Sequence, residues 1–178
     1  MQDLMMTHEI ASILSSVPLA IKAAAMFGSR AKGGVGPESD LDLLVIAEKL
    51  PPQRHRRTKE IAAIKACFPH AAPLDILLLT PAECEANFRN HNPLFLDIAR
   101  DAVILMDTDG FLEAMIEETR AYIERAGLKK IPDGWIYPVR YRSASPLSPV
   151  TNRDFAMAML ADGERDLRIG VRLKNWSG

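Results

Sequence analysis

Cysteine is scarce in this 178-residue chain: only Cys67 and Cys84 occur, without metal-ligand spacing and with no need to pair. That excludes a disulfide-built scaffold and suits a reducing compartment. Net charge is also small, at -1, so no global basic surface is available and nucleic acid is not the expected partner. No apolar run approaches the roughly 18 residues of a membrane span. The polar, acidic N-terminus does not read as a signal peptide, so no membrane partner is expected and the cytoplasm is the default location. Neither a Walker pattern nor a dinucleotide GxGxxG occurs. The four histidines, His8, His55, His70 and His91, show no paired spacing and read as ordinary surface or loop residues. What remains is a modest enzyme-sized chain, long enough to bury one core and to carry an appendage.

The informative stretch is Phe27 to Ile46, FGSRAKGGVGPESDLDLLVI. Successive side chains of a strand point to opposite faces, so Asp40 and Asp42 project the same way while Leu41 and Leu43 point to the other side. Two carboxylates in one small volume repel and raise each other's pKa unless a cation sits between them. Their oxygen donors suit Mg2+ or Mn2+. Upstream, Gly28 and Ser29 follow an apolar segment at what reads as a strand-to-helix turn, where backbone N–H groups and a hydroxyl can hold phosphate oxygens. Gly28 lets a polyphosphate approach the backbone closely, and Arg30 and Lys32 add positive charge. The competing reading makes Asp40 and Asp42 backbone-bonding turn residues and Arg30 and Lys32 solvated surface charges. Gly33, Gly34 and Gly36 with Pro37 are read as a flexible turn with no ligand.

In chain order, Ile10, Ile13, Leu14 and Val17 recur at helical spacing and Pro18 ends that helix. Leu19 to Phe27 reads as a first strand, weak in propensity because of its alanines, and Leu41 to Ala47 as a central one. Pro51 and Pro52 are expected to open a helix whose Ile61, Ile64 and Phe68 face the sheet, before a third strand at Leu74 to Leu79. Thr80 and Glu83 form a capping box around Pro81, Pro93 starts a short helix, and Ala102 to Met106 is a fourth strand. Asp109 is expected to cap a helix with Leu112, Met115, Ile116, Thr119 and Ile123 on one face, stopped by Gly127. The division is therefore 1–127, a catalytic domain, and 128–178, a proline-rich connection and C-terminal helix. In that second part Trp135, Ile136, Tyr137 and Tyr141 could lie across the core, and a last helix would run from Thr151 to about Arg168.

Gly28-Ser29, ten intervening residues and Asp40-Leu41-Asp42 resemble the signature of the nucleotidyltransferase superfamily that includes DNA polymerase β. The fuller string GSRAKG...SDLDLLV resembles its small branch, the minimal nucleotidyltransferases or MNT proteins, and Asp75 in PLDILLLT matches that branch's third carboxylate. The resemblance implies an α+β (α/β) fold, with a small mixed sheet of about four strands packed with helices plus a C-terminal helical or extended appendage. It implies that Asp40, Asp42 and Asp75 converge at one end of the sheet as catalytic and metal-binding residues. Two divalent ions would lie roughly 3.5–4 Å apart there, with Gly28, Ser29, Arg30 and Lys32 on the nucleotide.

The implied activity is transfer of a nucleoside monophosphate, AMP from ATP, to an acceptor hydroxyl. Three acceptor readings stand side by side: an MNT antitoxin modifying a HEPN ribonuclease, a small-molecule enzyme of the aminoglycoside-modifying kind, and a non-catalytic module that masks a partner. The segment NRDFAMAMLADGERDL is similar to the opening helix of HEPN domains, though a covering helix or self-association element is the expected role. Oligomeric state and nucleotide identity are open at this level.

Overall fold

The computed structural model describes residues 2–32, 40–68, 73–132 and 134–138. A four-stranded mixed sheet forms the centre, in the order β3-β2-β1-β4, from β1 (Ile21–Phe27), β2 (Leu41–Ala47), β3 (Leu74–Leu79) and β4 (Val103–Asp107). β1 is antiparallel to both β2 and β4, whereas β2 and β3 run parallel. The expected α+β architecture is met.

Both faces of the sheet are covered, which is why β2 reads as a nearly continuous apolar run. α1 (Gln2–Ser16) and α3 (Thr58–Cys67) cover one face: Ile10, Leu14 and Ile64 pack there on Ala24, Met26, Leu43, Val45, Ile76 and Leu78. The other face carries Ala23, Ala25, Leu44, Ile46 and Leu79 under α4 (Pro81–Arg89), α5 (Pro93–Asp101) and α6 (Phe111–Ala126). Alanine is a poor strand former, yet Ala23, Ala24 and Ala25 are fully buried in β1; packing between two helical layers overrides local propensity.

Several terminal signals behave as the sequence suggests. The Thr80 and Glu83 capping box is present in both directions, Pro81 and Pro93 occupy first-turn positions, and Gly127 ends α6 in the left-handed conformation. Two expectations are corrected. Pro51 and Pro52 do not open α3; a 3-10 turn at Arg54–Arg56 intervenes and the helix begins at Thr58. The reason is Arg57, which is only 1% exposed and folds back on the proline segment, donating to the carbonyls of Pro51 (2.8 Å), Pro52 (3.2 Å) and Leu78 (3.1 Å). Its guanidinium also grips Glu83 at both carboxylate oxygens, at 2.7 and 3.0 Å. The cap of α6 is likewise not Asp109 but Gly110, while Asp107 accepts from the Glu113 N–H at 2.9 Å and Asp109 pairs with Lys22.

After α6 the chain makes a two-stranded hairpin, β5 (Lys129–Ile131) and β6 (Gly134–Ile136). It returns to α5: Asp97 accepts from Lys130 and from the Trp135 indole N–H at 3.0 Å. Tyr137 reaches the His91 carbonyl at 3.4 Å. Tyr141, the Thr151–Arg168 helix expectation and the turn containing Gly33, Gly34, Gly36 and Pro37 lie outside the described residues. Cys67 and Cys84 are both free. Among the described residues no helix is long and apolar enough to cross a membrane.

Candidate active site

The ends of three strands meet at one edge. β1 finishes at Phe27, whose backbone pairs with Asp42 near the start of β2, and Asp42 pairs across the parallel ladder with Asp75 near the start of β3. Alternation puts Asp42 on the same face as Leu44 and Ile46, and Asp75 on the same face as Leu77 and Leu79. Those leucines and that isoleucine belong to the core beneath α4, α5 and α6, so both carboxylates stand where that apolar row runs out. Adjacent strands are about 4.8 Å apart, which makes Asp42 and Asp75 immediate neighbours. Asp40 is exposed one residue before β2 begins.

Gly28 closes the site from the β1 side. Its φ of +73° is left-handed, and a Cβ built on it would lie 2.0 Å from Asp42 Oδ2 and 2.9 Å from Asp42 Cγ. Only glycine lets the backbone leaving β1 rest directly against that carboxylate. The chain then winds through the short α2 (Gly28–Ala31), with Ser29 exposed, Arg30 half-buried and Lys32 at its C-terminal end.

Electrostatically, Asp40, Asp42 and Asp75 form a cluster of like charge. The Asp42 carboxyl sits above the usual carboxylate range, first because burial disfavours its charge, then because Asp75 and Asp40 repel it. Among the described residues no three or more His, Cys, Asp or Glu side chains are grouped so as to hold a metal ion by themselves. The donors present are hard carboxylate oxygens at the open edge of a sheet. They fit an ion such as Mg2+, which keeps several waters and is bound through one or two carboxylates plus substrate phosphates.

Thus Gly28, Asp42 and Asp75 are brought into one small volume, and Asp40 contributes its charge. Lys32 lies at the rim and pairs with Asp101 at 3.6 Å. Asp101 is in turn gripped by Arg100 at 2.8 and 2.6 Å. These bonds hold the Asp101 carboxyl below its usual range, against the effect of burial. The Arg100-Asp101 pair was not legible as part of the site: an Arg-Asp dipeptide ending an amphipathic helix carries no local mark of what lies opposite it.

A mixed sheet with an acidic edge facing a glycine turn agrees with the nucleotidyltransferase class that the sequence resembles. The chain belongs to the nucleotidyltransferase domain family, which matches residues 8–105, more than half of its length. It is 32% identical over 100 residues, 56% of this chain and 68% of the other, to the Methanocaldococcus jannaschii protein described as "Putative protein adenylyltransferase MJ1305". Two solved structures are more distantly similar. One is a chain of the tri-AMPylated Shewanella oneidensis HEPN toxin in complex with MNT antitoxin, with 16% identity, a TM-score of 0.39 and coverage of 70% of this chain and 88% of that one. The other is a spectinomycin adenyltransferase from Enterococcus faecialis with ATP and spectinomycin, with 13% identity, a TM-score of 0.42 and coverage of 66% and 65%.

Proposed function

We propose that this nucleotidyltransferase moves AMP from ATP onto a hydroxyl of an acceptor protein, and that the acceptor is of the HEPN family. The observation that carries the reading is the seat of Gly28 on the Asp42 carboxylate, directly beside Asp75. A triphosphate lying along the Gly28-Ser29 backbone brings its phosphates against the acidic pair with no side chain between them. Protein as the acceptor class is supported by the 32% identical relative's description, and HEPN by the likeness of GSRAKG...SDLDLLV to MNT proteins.

Asp42 and Asp75 would hold Mg2+ or Mn2+ together with the triphosphate's oxygens, and Asp40 would add its charge beside them. Bound there, such ions neutralise phosphate charge and make an acceptor hydroxyl more acidic. The remaining work belongs to the chain. Ser29 and the turn backbone orient the β and γ phosphates, with Lys32 and Arg30 balancing their charge. Asp75, exposed at the start of β3, accepts the proton of the acceptor hydroxyl. The acceptor oxygen bonds to the α-phosphorus as the bond from that phosphorus to the bridging oxygen breaks, and pyrophosphate leaves with the electron pair. No covalent enzyme intermediate is required; positioning and charge stabilisation supply the rate.

The test is incubation of the purified protein with Mg2+ and α-labelled ATP, with and without a HEPN-family protein encoded beside it. The Asp40→Asn/Asp42→Asn variant runs in parallel. Label on the partner that vanishes with the variant supports the proposal. Retained ATP binding with no labelled protein overturns the protein acceptor, in favour of a small-molecule acceptor or of masking without catalysis.

A further inference from the structure

The family match ends at residue 105, yet a chain of contacts runs from the hairpin beyond it back to the rim of the active site. Trp135 on β6 donates its indole N–H to Asp97 of α5 at 3.0 Å, and Lys130 on β5 pairs with the same carboxylate at 2.6 Å. With its ring anchored in this way, Trp135 lies under the Arg100 guanidinium, whose central carbon is 5.6 Å from the ring centroid. Arg100 then holds Asp101 through two short bonds, 2.8 and 2.6 Å, and Asp101 faces the Lys32 ammonium at 3.6 Å.

The location of Asp101 is unusual on two counts. As the last residue of α5, it puts a negative charge at the helix end where the backbone dipole is already negative, an arrangement disfavoured without cations beside it. It also stands at the acidic edge of the sheet, because β4 starts two residues later and its Val103 pairs with Met26, next to the last residue of β1. A further carboxylate here repels a triphosphate unless its charge is taken up by Arg100 and used to aim Lys32.

We propose that the β5–β6 hairpin is a positioning element for nucleotide binding: Trp135 fixes Arg100, Arg100 fixes Asp101, and Asp101 holds the Lys32 ammonium beside the Gly28-Ser29 turn. Asp101 and Trp135 are then positioning residues, acting on phosphate through Lys32. The inference rests on the phosphate-binding role proposed for Lys32. Lysine alone is a flexible point charge on a four-carbon stem, and a fixed partner reduces the freedom it loses when it meets phosphate.

The experiment is calorimetric titration of the full chain with ATP in Mg2+, for wild type, Lys32→Ala, Asp101→Asn, Asp101→Glu, Trp135→Ala, Trp135→Phe and the Lys32→Ala/Asp101→Asn double variant. Circular dichroism melts verify that each is folded. Lys32→Ala is expected to weaken ATP binding by about tenfold or more, the scale of a hydrogen bond to a charged group. Asp101→Asn and Trp135→Ala should weaken it by about two- to fivefold, the scale of an exposed ion pair, with partial recovery in Asp101→Glu and Trp135→Phe. In the double variant Asp101→Asn should add nothing to the loss from Lys32→Ala.

Should Lys32→Ala weaken binding while Asp101→Asn and Trp135→Ala leave it unchanged, or add independently, the relay is wrong and the nucleotide site stands. Unchanged binding in Lys32→Ala removes Lys32 from the site, and the relay with it.

Discussion

Gly28→Ala is the substitution that tests the geometry most directly. Alanine at φ +73° adopts a left-handed conformation costing about 1–2 kcal/mol, equivalent in a domain of this size to a melting temperature lower by about 2–8 °C. The larger effect is local. The new methyl would stand 2.0 Å from Asp42 Oδ2, where an ordinary contact needs about 3.5 Å, so the turn or the carboxylate must retreat by about 1.5 Å. A displacement of that size at reacting groups costs on the order of a hundredfold in rate, and AMP transfer should fall accordingly. Calorimetric melting in wild-type and Asp42→Ala backgrounds, with Mn2+ binding followed by electron paramagnetic resonance in the wild-type background, separates the two effects. With Asp42 truncated, Gly28→Ala should cost the backbone strain and only the small adjustment of a 3.3 Å contact with the remaining Asp42 Cβ, so the two substitutions are strongly non-additive. Equal costs in both backgrounds, or wild-type Mn2+ affinity in Gly28→Ala, would refute the contact as the organising feature of the site.

Asp42→Asn should abolish transfer yet raise the metal-free stability at pH 7, and with it the melting temperature, by about 1 kcal/mol for each like charge about 5 Å away in a solvent-exposed setting. The sign follows from the raised Asp42 pKa. Between the unfolded carboxylate value and the higher folded one, the native state holds more protons. Stability therefore falls as pH rises through that window and stays lowered above it, and asparagine removes this dependence; a melting series from pH 3 to 8 that shows no gain for the variant above the window would contradict it. Glu83 has the opposite sign. Burial pushes its carboxyl up, but the bonds from Arg57 and the Thr80 N–H and the charges of Arg57 and Arg54 outweigh that and leave it lowered. Its contribution is present above the ordinary carboxylate range and is lost as pH falls through the lowered value. Glu83→Ala should cost about 3–5 kcal/mol in denaturant unfolding by stranding buried Arg57, against about 1 kcal/mol for Thr80→Ala, which removes only the cap; equal losses would show that the ion pair contributes nothing beyond the cap.

Arg57 also illustrates what a linear reading misses. In QRHRRTK it is one of four cations, three of which are exposed; Arg54 also meets Glu83, at 3.4 Å, and what distinguishes the buried one is its enclosure by Glu83 together with the carbonyls of Pro51, Pro52 and Leu78. The same holds for Asp97 and Trp135, whose 3.0 Å bond joins residues 38 positions apart.

Local order in the chain did determine much of this protein. Apolar runs marked β2 and β3, and the Thr80 and Glu83 spacing marked the start of α4. Those features depend on residues within a few positions of one another, where backbone geometry alone fixes which side chains share a face. The pairing of Asp42 with Asp75, the seat of Gly28 on the Asp42 carboxylate and the approach of Asp101 to Lys32 were decided only by the tertiary structure. Each joins segments whose relative register is set by burying two apolar faces of one sheet under separate helical layers, a global packing solution that no local spacing encodes.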